Sequence, residues 1–130
     1  MSHPDLLDVV TGRRAVHEIA RDAQHVAWLA ERPVRPGHVV VATCEPADSV
    51  FDLSAAAHAA LWAFVHATGR RMRERLPCAR VCVSVIGWAV RHAHVHLIPT
   101  DAPGQVPGLD GPALAEPAMR ELAAKLRGDA

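Results

Sequence analysis

Short apolar or alternating segments, separated by turn residues, occupy the first third of the chain. They predict three β-strands over residues 15–20, 25–30 and 38–44. The linkers RDAQ and ERPVRPG are polar, and the prolines of the second cannot donate to a central strand ladder. We therefore predict that the three strands form an antiparallel meander. The preceding segment, residues 4–11, predicts a short helix or turn that ends at Gly12.

A long helix is predicted after the meander. Either Asp52 or Ser54 can cap its first turn, because a side-chain oxygen there can accept an unpaired backbone N–H. Pro77 ends the helix, and the arginines of residues 70–75 suit the negative end of the helix dipole. Apolar residues at helical spacing predict its buried face: Leu61, Phe64, Val65, Met72 and Leu76.

Two more strands are predicted over residues 80–87 and 90–98, joined tightly as a hairpin. Residues 100–130 form a tail, a Pro- and Gly-rich loop followed by an amphipathic helix that Pro117 interrupts early. We expect residues 1–130 to be one domain of the α+β class. Its five-stranded, mostly antiparallel sheet carries one long packed helix, with a short N-terminal and a C-terminal helix.

Composition excludes several classes of protein. The formal net charge is zero, which argues against nucleic acid and membrane surfaces as partners. The N-terminal segment lacks the pattern of a signal peptide, and no apolar run approaches the roughly 20 residues of a membrane span. The three cysteines have no spacing typical of small secreted proteins. We expect an intracellular, reduced and cytoplasmic protein.

The segment GWAVRHAHVHL, residues 87–97, places three histidines in strict alternation. On a strand, His92, His94 and His96 share one face, while the residues between them point to the core. The Cα atoms of His92 and His96 would lie about 13 Å apart, so the three imidazoles cannot readily bind one zinc ion. A neighbouring pair could do so with a third ligand from elsewhere. The other readings are a partly solvated polar face and a catalytic centre, in which a neutral imidazole attacks phosphorus.

Residues 92–99, HAHVHLIP, resemble the signature of the histidine triad (HIT) superfamily of nucleotidyl hydrolases and transferases. The segment AWLAERPVRPGHVVVATCEP resembles the family's strand-loop-strand region with its PGH motif, and residues 51–76 resemble its long central helix. The resemblance extends from about residue 4 to residue 99. It implies the HIT-like fold and chemistry at a phosphorus centre.

The resemblance also implies roles for four histidines. His94 would be the nucleophile that forms a covalent nucleotidyl-histidine, and His92 and His96 would orient and polarise the centre. His38, of the PGH motif, would support it from the neighbouring strand. No metal or other cofactor is needed in this scheme. The default substrates are nucleoside phosphoramidates and dinucleoside polyphosphates, and family members commonly form homodimers through a sheet edge and the long helix.

Several substrate-contacting positions depart from the family pattern. The glutamine that precedes the triad is Trp88, the hydroxyl residue that often follows it is Ala89, and the chain contains no asparagine. The ribose-binding aspartate falls on Ala30, with Glu31 next to it. The lysine and histidine after the PGH strand become Cys44 and Pro46. The remaining residues expected at the substrate pocket are Val90, Trp28, Leu6 and Leu7.

Three functions remain open at this point. We favour a HIT-type phosphoramidase, nucleotidyl hydrolase or transferase. The first alternative is a HIT fold adapted to a non-nucleotide substrate in a specialised pathway. The second is a non-catalytic module that binds a small molecule, or a metal through His38, His92 and His94.

Overall fold

The computed structural model describes residues 5–106, 109 and 111–129. Its five strands form one sheet in the order β1-β2-β3-β5-β4, and every neighbouring pair is antiparallel. The predicted α+β architecture, with its meander of three strands, is therefore confirmed. The elements are α1 (Leu6–Val10), β1 (Glu18–Arg21), β2 (His25–Leu29), β3 (Val39–Thr43), a 3-10 turn (Val50–Asp52), α2 (Ala55–Arg75), β4 (Arg80–Ser84), β5 (His94–Thr100) and α3 (Glu116–Arg127).

Both faces of the sheet are covered at its centre, where every residue of β3 is buried. This explains why the sequence of β3 is continuously apolar rather than alternating. Helix α2 packs on one face through its buried residues. The shorter α1 packs on the other face, where Leu6, Val9 and Val10 join Trp28 and Val40 in a second apolar cluster.

The long helix begins where its capping residue predicts. The Ser54 side chain accepts a hydrogen bond from the Ala57 amide, whereas Asp52 accepts one from the Ser49 amide and caps the preceding 3-10 turn. Helix α2 ends at Arg75, just before Pro77. None of the three described helices has the length and apolar character needed to cross a bilayer.

The hairpin of β4 and β5 differs from its prediction. Strand β4 ends at Ser84 and β5 begins at His94, so residues 85–93 form an irregular loop instead of a tight turn. His92 precedes the strand and does not share a strand face with His94 and His96. The backbone is diverted here because the Ala93 amide donates to the Ala47 carbonyl at 2.7 Å, outside the β3–β5 ladder.

The predicted interruption of the terminal helix at Pro117 is also wrong. Pro117 lies in the first turn of α3, where its missing N–H would have no intrahelical partner and its ring fits without a clash. Helix α3 contains no buried residue.

Gly37 positions the segment that carries His38. Its φ of +91° is a left-handed conformation that L side chains rarely adopt. A Cβ atom there would lie 3.0 Å from Leu76 Cδ1 and 3.2 Å from Pro99 Cγ. The backbone conformation therefore favours glycine at the turn before His38, and an added Cβ would also press on two neighbouring side chains.

We expect Gly37→Ala to lower the free energy of unfolding by about 2 kcal/mol or more, because it combines backbone strain with a steric clash. The matched control is Gly12→Ala, which has a φ of +82° but nothing within 4 Å of the added Cβ. It should cost only about 1 kcal/mol. Urea denaturation measures both, and equal losses would contradict the close-packing argument.

Candidate active site

His94 is held by a backbone carbonyl close to it in the chain. Its Nδ1 lies 2.6 Å from the His92 carbonyl oxygen, which can only accept, so Nδ1 carries the proton and donates. The neutral ring therefore has an unprotonated Nε2. No described side-chain nitrogen or oxygen is both fully buried and without a partner, so the unpaired Nε2 reaches the surface of the pocket that His94 lines.

His92 acts on this centre through its backbone. Its own imidazole is buried, and its Nε2 donates to the Thr43 carbonyl at the end of β3 at 2.7 Å. That bond anchors the residue whose carbonyl orients His94. His92 does not line the pocket, so the orienting function expected of it falls to its main-chain oxygen.

His38 and His96 form a second hydrogen-bonded chain. The Val34 amide donates to His38 Nδ1 at 3.1 Å, so His38 in its neutral form carries its proton on Nε2. That nitrogen lies 2.9 Å from His96 Nδ1 and donates to it. His96 must then carry its own proton on Nε2. The Val34–His38 and His38–His96 hydrogen bonds thus determine that His96 carries its proton on Nε2, as a donor next to His94.

Burial keeps these imidazoles neutral. It lowers the pKa of His38 and that of His94, where the bond to the His92 carbonyl acts in the opposite direction and only partly offsets it. Burial, with the neighbouring His94 and His38, lowers the pKa of His96 to about 4. The rings of His94 and His96 meet edge to face with centroids 4.9 Å apart. At neutral pH the site therefore has one free nucleophilic nitrogen beside an uncharged donor.

The histidines open into a pocket with a volume of about 670 Å³. His38, His94 and His96 line it together. Its apolar wall comes from the ends of β2 and β3, from α1 and from the loop before β5, and comprises Leu6, Trp28, Ala30, Val34, Val40 and Val90. A pocket of this size and lining suits a small organic molecule with an apolar or aromatic part.

Four charged residues also line this pocket: Asp5, Arg14, Glu31 and Arg32. Arg14 and Glu31 form a two-point ion pair, with Nε–Oε1 and Nη2–Oε2 distances of 3.0 and 2.7 Å. This pair lowers the pKa of the Glu31 carboxyl. Asp5, Arg14 and Arg32 were not expected from the sequence. Arg32 could have been suspected from its place between Glu31 and the PGH motif, but Asp5 and Arg14 reach the pocket only through tertiary packing.

The structure brings most, but not all, of the expected substrate residues to the pocket. Trp28, Glu31, Val90 and Leu6 line it, whereas Trp88, Ala89 and Leu7 do not. Leu7 is on α1, where it packs against the apolar cluster beneath the pocket. Trp88 is 80% exposed, and its ring lies 5.8 Å from the guanidinium carbon of Arg91.

The loop that carries Trp88 and Ala89 also contains Arg91, which forms a two-point ion pair with Asp48 at 2.5 and 2.7 Å. The side chain at the family's glutamine position is exposed to solvent and does not line the pocket.

A metal centre has no support from this geometry. Within the residues that the structure describes, no group of three or more His, Cys, Asp or Glu side chains could hold a metal ion. In the expected ligand set His38, His92 and His94, His92 Nε2 and His94 Nδ1 each donate to a backbone carbonyl, so these two nitrogens do not face a metal. The described residues therefore give the metal-binding alternative no support.

The fold and the histidine arrangement together define a histidine triad protein. A family model described as "HIT domain" matches residues 14–102. The match covers more than half of the chain, and the chain belongs to this family. A search of curated proteins finds no match.

Solved structures agree with this fold over almost the whole chain. A protein from Streptococcus mutans superposes with a TM-score of 0.85 at 19% identity, covering 98% of this chain and 85% of its own. A HIT family member from Bacillus subtilis gives 0.84 at 15% identity, covering 95% and 94%. A hypothetical histidine triad nucleotide-binding protein from Sulfolobus tokodaii gives 0.71 at 19% identity, covering 92% and 86%. At these identities the likeness establishes the fold.

The lowered pKa values predict that acid destabilises the protein. A histidine that binds its proton less readily when folded leaves the unfolded chain with more protons, so stability falls as pH drops below about 6.5. For His96 the loss develops down to its folded pKa of about 4, and with solvent screening of the partly exposed ring it amounts to about 2 kcal/mol. Urea unfolding at pH 7.5, 5.5 and 4.5 measures it.

The control for this prediction is His96→Asn, which does not titrate but whose side-chain oxygen can still accept from His38. Its stability should fall less steeply between pH 6.5 and 4.5. An unchanged slope in the variant would rule out His96 as the main source of the acid sensitivity.

Proposed function

We propose that this HIT protein is a phosphoramidase, nucleotidyl hydrolase or transferase that works through a covalent intermediate on His94. The observation that carries the proposal is the 2.6 Å bond from His94 Nδ1 to the His92 carbonyl, which leaves Nε2 unprotonated on the pocket surface. An imidazole with one nitrogen fixed as donor and the other free is equipped for nucleophilic attack.

In the first step, the lone pair of His94 Nε2 forms a bond to the substrate phosphorus. The bond from phosphorus to the leaving nitrogen or oxygen breaks, and the leaving group departs with that electron pair and takes up a proton from solvent. The imidazole gains positive charge as the new bond forms. The His92 carbonyl, which already accepts the Nδ1 proton, stabilises that charge electrostatically.

In the second step, water or another acceptor attacks phosphorus, loses its proton to solvent and displaces His94, so the Nε2 lone pair and the neutral ring are restored. His96 supports both displacements. Its protonated Nε2 can donate to a phosphoryl oxygen or to the departing atom, and His38 maintains that polarity through the bond to His96 Nδ1. Dividing the transfer into two displacements is the benefit of a covalent route.

The pocket supports a nucleotide-type substrate with an aromatic or apolar part. Trp28, Leu6 and Val90 supply a wall for such a group, and the histidines lie at the same pocket. Phosphoramidates and dinucleoside polyphosphates are the default substrates within the family.

A non-nucleotide phosphate ester is the second candidate. Ala30 replaces the aspartate that the family uses for ribose, and Trp88 and Ala89 lie outside the pocket. The usual polar contacts to sugar and phosphate are therefore missing, while the reactive histidines are retained.

We expect wild-type protein to turn over at least one substrate in a panel of nucleoside 5′-phosphoramidates and dinucleoside polyphosphates. Intact-mass analysis after rapid acid quenching should detect a nucleotidyl adduct. His94→Ala should lose the adduct and at least about 10³-fold in kcat/KM, because no other free imidazole nitrogen takes its place. The low pKa of His94 further predicts that kcat/KM is maintained below pH 6.5.

The matched control is His66→Ala, since His66 lies on the exposed side of α2 outside the pocket. It should retain wild-type turnover. An adduct that persists in His94→Ala, or folded wild-type protein that turns over no member of the panel, would refute nucleotidyl transfer at His94.

We also propose that the protein is a cytoplasmic homodimer. Strand β4 is a sheet edge with exposed apolar side chains at Val83, Val85 and Ile86 along and just after it. An apolar groove between β4 and α2 continues this surface through Trp62. An open apolar edge favours pairing with a second chain. The three unpaired cysteines suit a reducing compartment.

Pairing through β4 predicts that light scattering gives twice the chain mass of 14.0 kDa. Val83→Glu should shift the protein toward the monomer, because it places a charge within the apolar edge. Leu126→Glu on α3, where the side chain is 87% exposed, should leave the mass unchanged. A wild-type monomer, or a dimer that Val83→Glu leaves intact, would contradict the β4 interface.

A further inference from the structure

Arg32 is a pocket-lining cation without an ion-pair partner among the described residues. The other charged groups on the same wall are already engaged. Arg14 and Glu31 neutralise each other through two hydrogen bonds. The Asp5 carboxylate accepts the Leu7 amide at 2.9 Å and caps α1. Arg32 forms no salt bridge within the residues that the structure describes, so its guanidinium is available to a ligand.

The remaining polar groups of the pocket are uncharged at neutral pH. Burial lowers the pKa values of His38, His94 and His96, so the three imidazoles hold no positive charge for an anionic substrate. A phosphate-bearing ligand that enters this pocket therefore meets one unpaired cation, Arg32. The guanidinium geometry is suited to two-point binding of a carboxylate or phosphate.

The sheet register separates Arg32 from the attacked phosphorus. His94 is opposite Ala42 in the β3–β5 pairing. Continuing this pairing places His38 opposite the residue that is four positions after His94 on β5. The His38 carbonyl accepts a hydrogen bond from the Ala30 amide, so Ala30 lies at the same level of the sheet. At the strand rise, this puts Ala30 about 13 Å along the sheet from His94. Arg32 lies beyond Ala30 in the chain. Because Arg32 lines the same pocket from this end of the sheet, we infer that it meets a group several bonds away from the phosphorus.

We propose that Arg32 binds a second anionic group, a phosphate or a carboxylate, and selects substrates that carry one. The inference rests on the proposed function for the identity of the first, reacting phosphate group. It makes Arg32 a specificity-determining residue that replaces the recognition lost at Ala30. The preferred substrate then has two anionic groups joined through a spacer, instead of one phosphate and a neutral ribose.

Equilibrium binding tests this inference without requiring turnover. The first pair of probes is adenosine 5′-monophosphate and adenosine 3′,5′-bisphosphate, which places the second anion on the sugar. The second pair is the adenosine 5′-phosphoramidates of butylamine and of glutamate, which place a carboxylate on the leaving group. The second pair is measured in the His94→Ala background, so that the ligands are not consumed. Calorimetry gives Kd for each.

In at least one pair, the ligand with two anionic groups should bind about tenfold more tightly at low salt than the ligand with one. This ratio should shrink as salt screens the exposed guanidinium. The pair that responds identifies whether the second anion belongs to the sugar or to the leaving group. Arg32→Gln should reduce that ratio to about one, because it should weaken the ligand with two anionic groups about tenfold more than the ligand with one.

The matched control is Arg13→Gln, since Arg13 is exposed and does not line the pocket. It should keep the wild-type ratio. Equal affinities within both pairs, including no measurable binding of any probe, would overturn the inference, as would a preference that Arg32→Gln leaves intact. Failure of the proposed nucleotidyl transfer can be distinguished from failure of the Arg32 inference, because the adduct experiment on His94 does not depend on these Kd values.

Discussion

The antiparallel pairing of β3 with β5 brings the reactive groups of this protein together, and the remaining elements act by supporting that pair. It sets His94 opposite Ala42 and His96 opposite Val40, with small or apolar neighbours that leave the imidazoles room. The same pairing turns Val95 and Leu97 into the core under α2. A shift of the register by one residue would move the histidines to the core face and the valine and leucine to the pocket, so burial on both faces enforces one register.

Backbone groups, and not charged side chains, control the chemistry of the histidines. The His92 carbonyl determines the tautomer of His94, and the Val34 amide determines that of His96 through His38. This arrangement keeps the site uncharged in a buried environment, where an isolated charge would be costly. It also means that the stability of the fold and the free Nε2 of His94 depend on the same neutral imidazoles.

The pocket combines a retained reactive centre with an altered recognition surface. Ala30, at the family's ribose-binding position, is followed by Glu31 and Arg32. Glu31 forms an ion pair with Arg14 from the segment after α1. In the loop before β5, Trp88 is exposed outside the pocket, and Arg91 pairs with Asp48. Both changes act on what the pocket holds and leave the hydrogen-bonded histidines untouched. The residues that differ from the family pattern are thus spatially separate from the hydrogen-bonded histidines.

The sequence alone determined the elements with strong local signals. The apolar periodicity, the Ser54 cap and Pro77 predicted α2, and the alternation of His94 to Leu97 predicted which side chains of β5 face the core. The resemblance in the triad and PGH segments pointed to the family and to four histidines. Tertiary structure decided what depends on partners distant in the chain. It placed His92 before the strand, where the Ala93 amide bonds to Ala47 instead of to β3, and it left Trp88 and Ala89 outside the pocket. It also brought Asp5 and Arg14 to the pocket. Local sequence patterns indicate which face of a strand or helix a residue occupies. The ion pairs Arg14–Glu31 and Arg91–Asp48 join residues 17 and 43 positions apart, so they form only once the sheet is assembled.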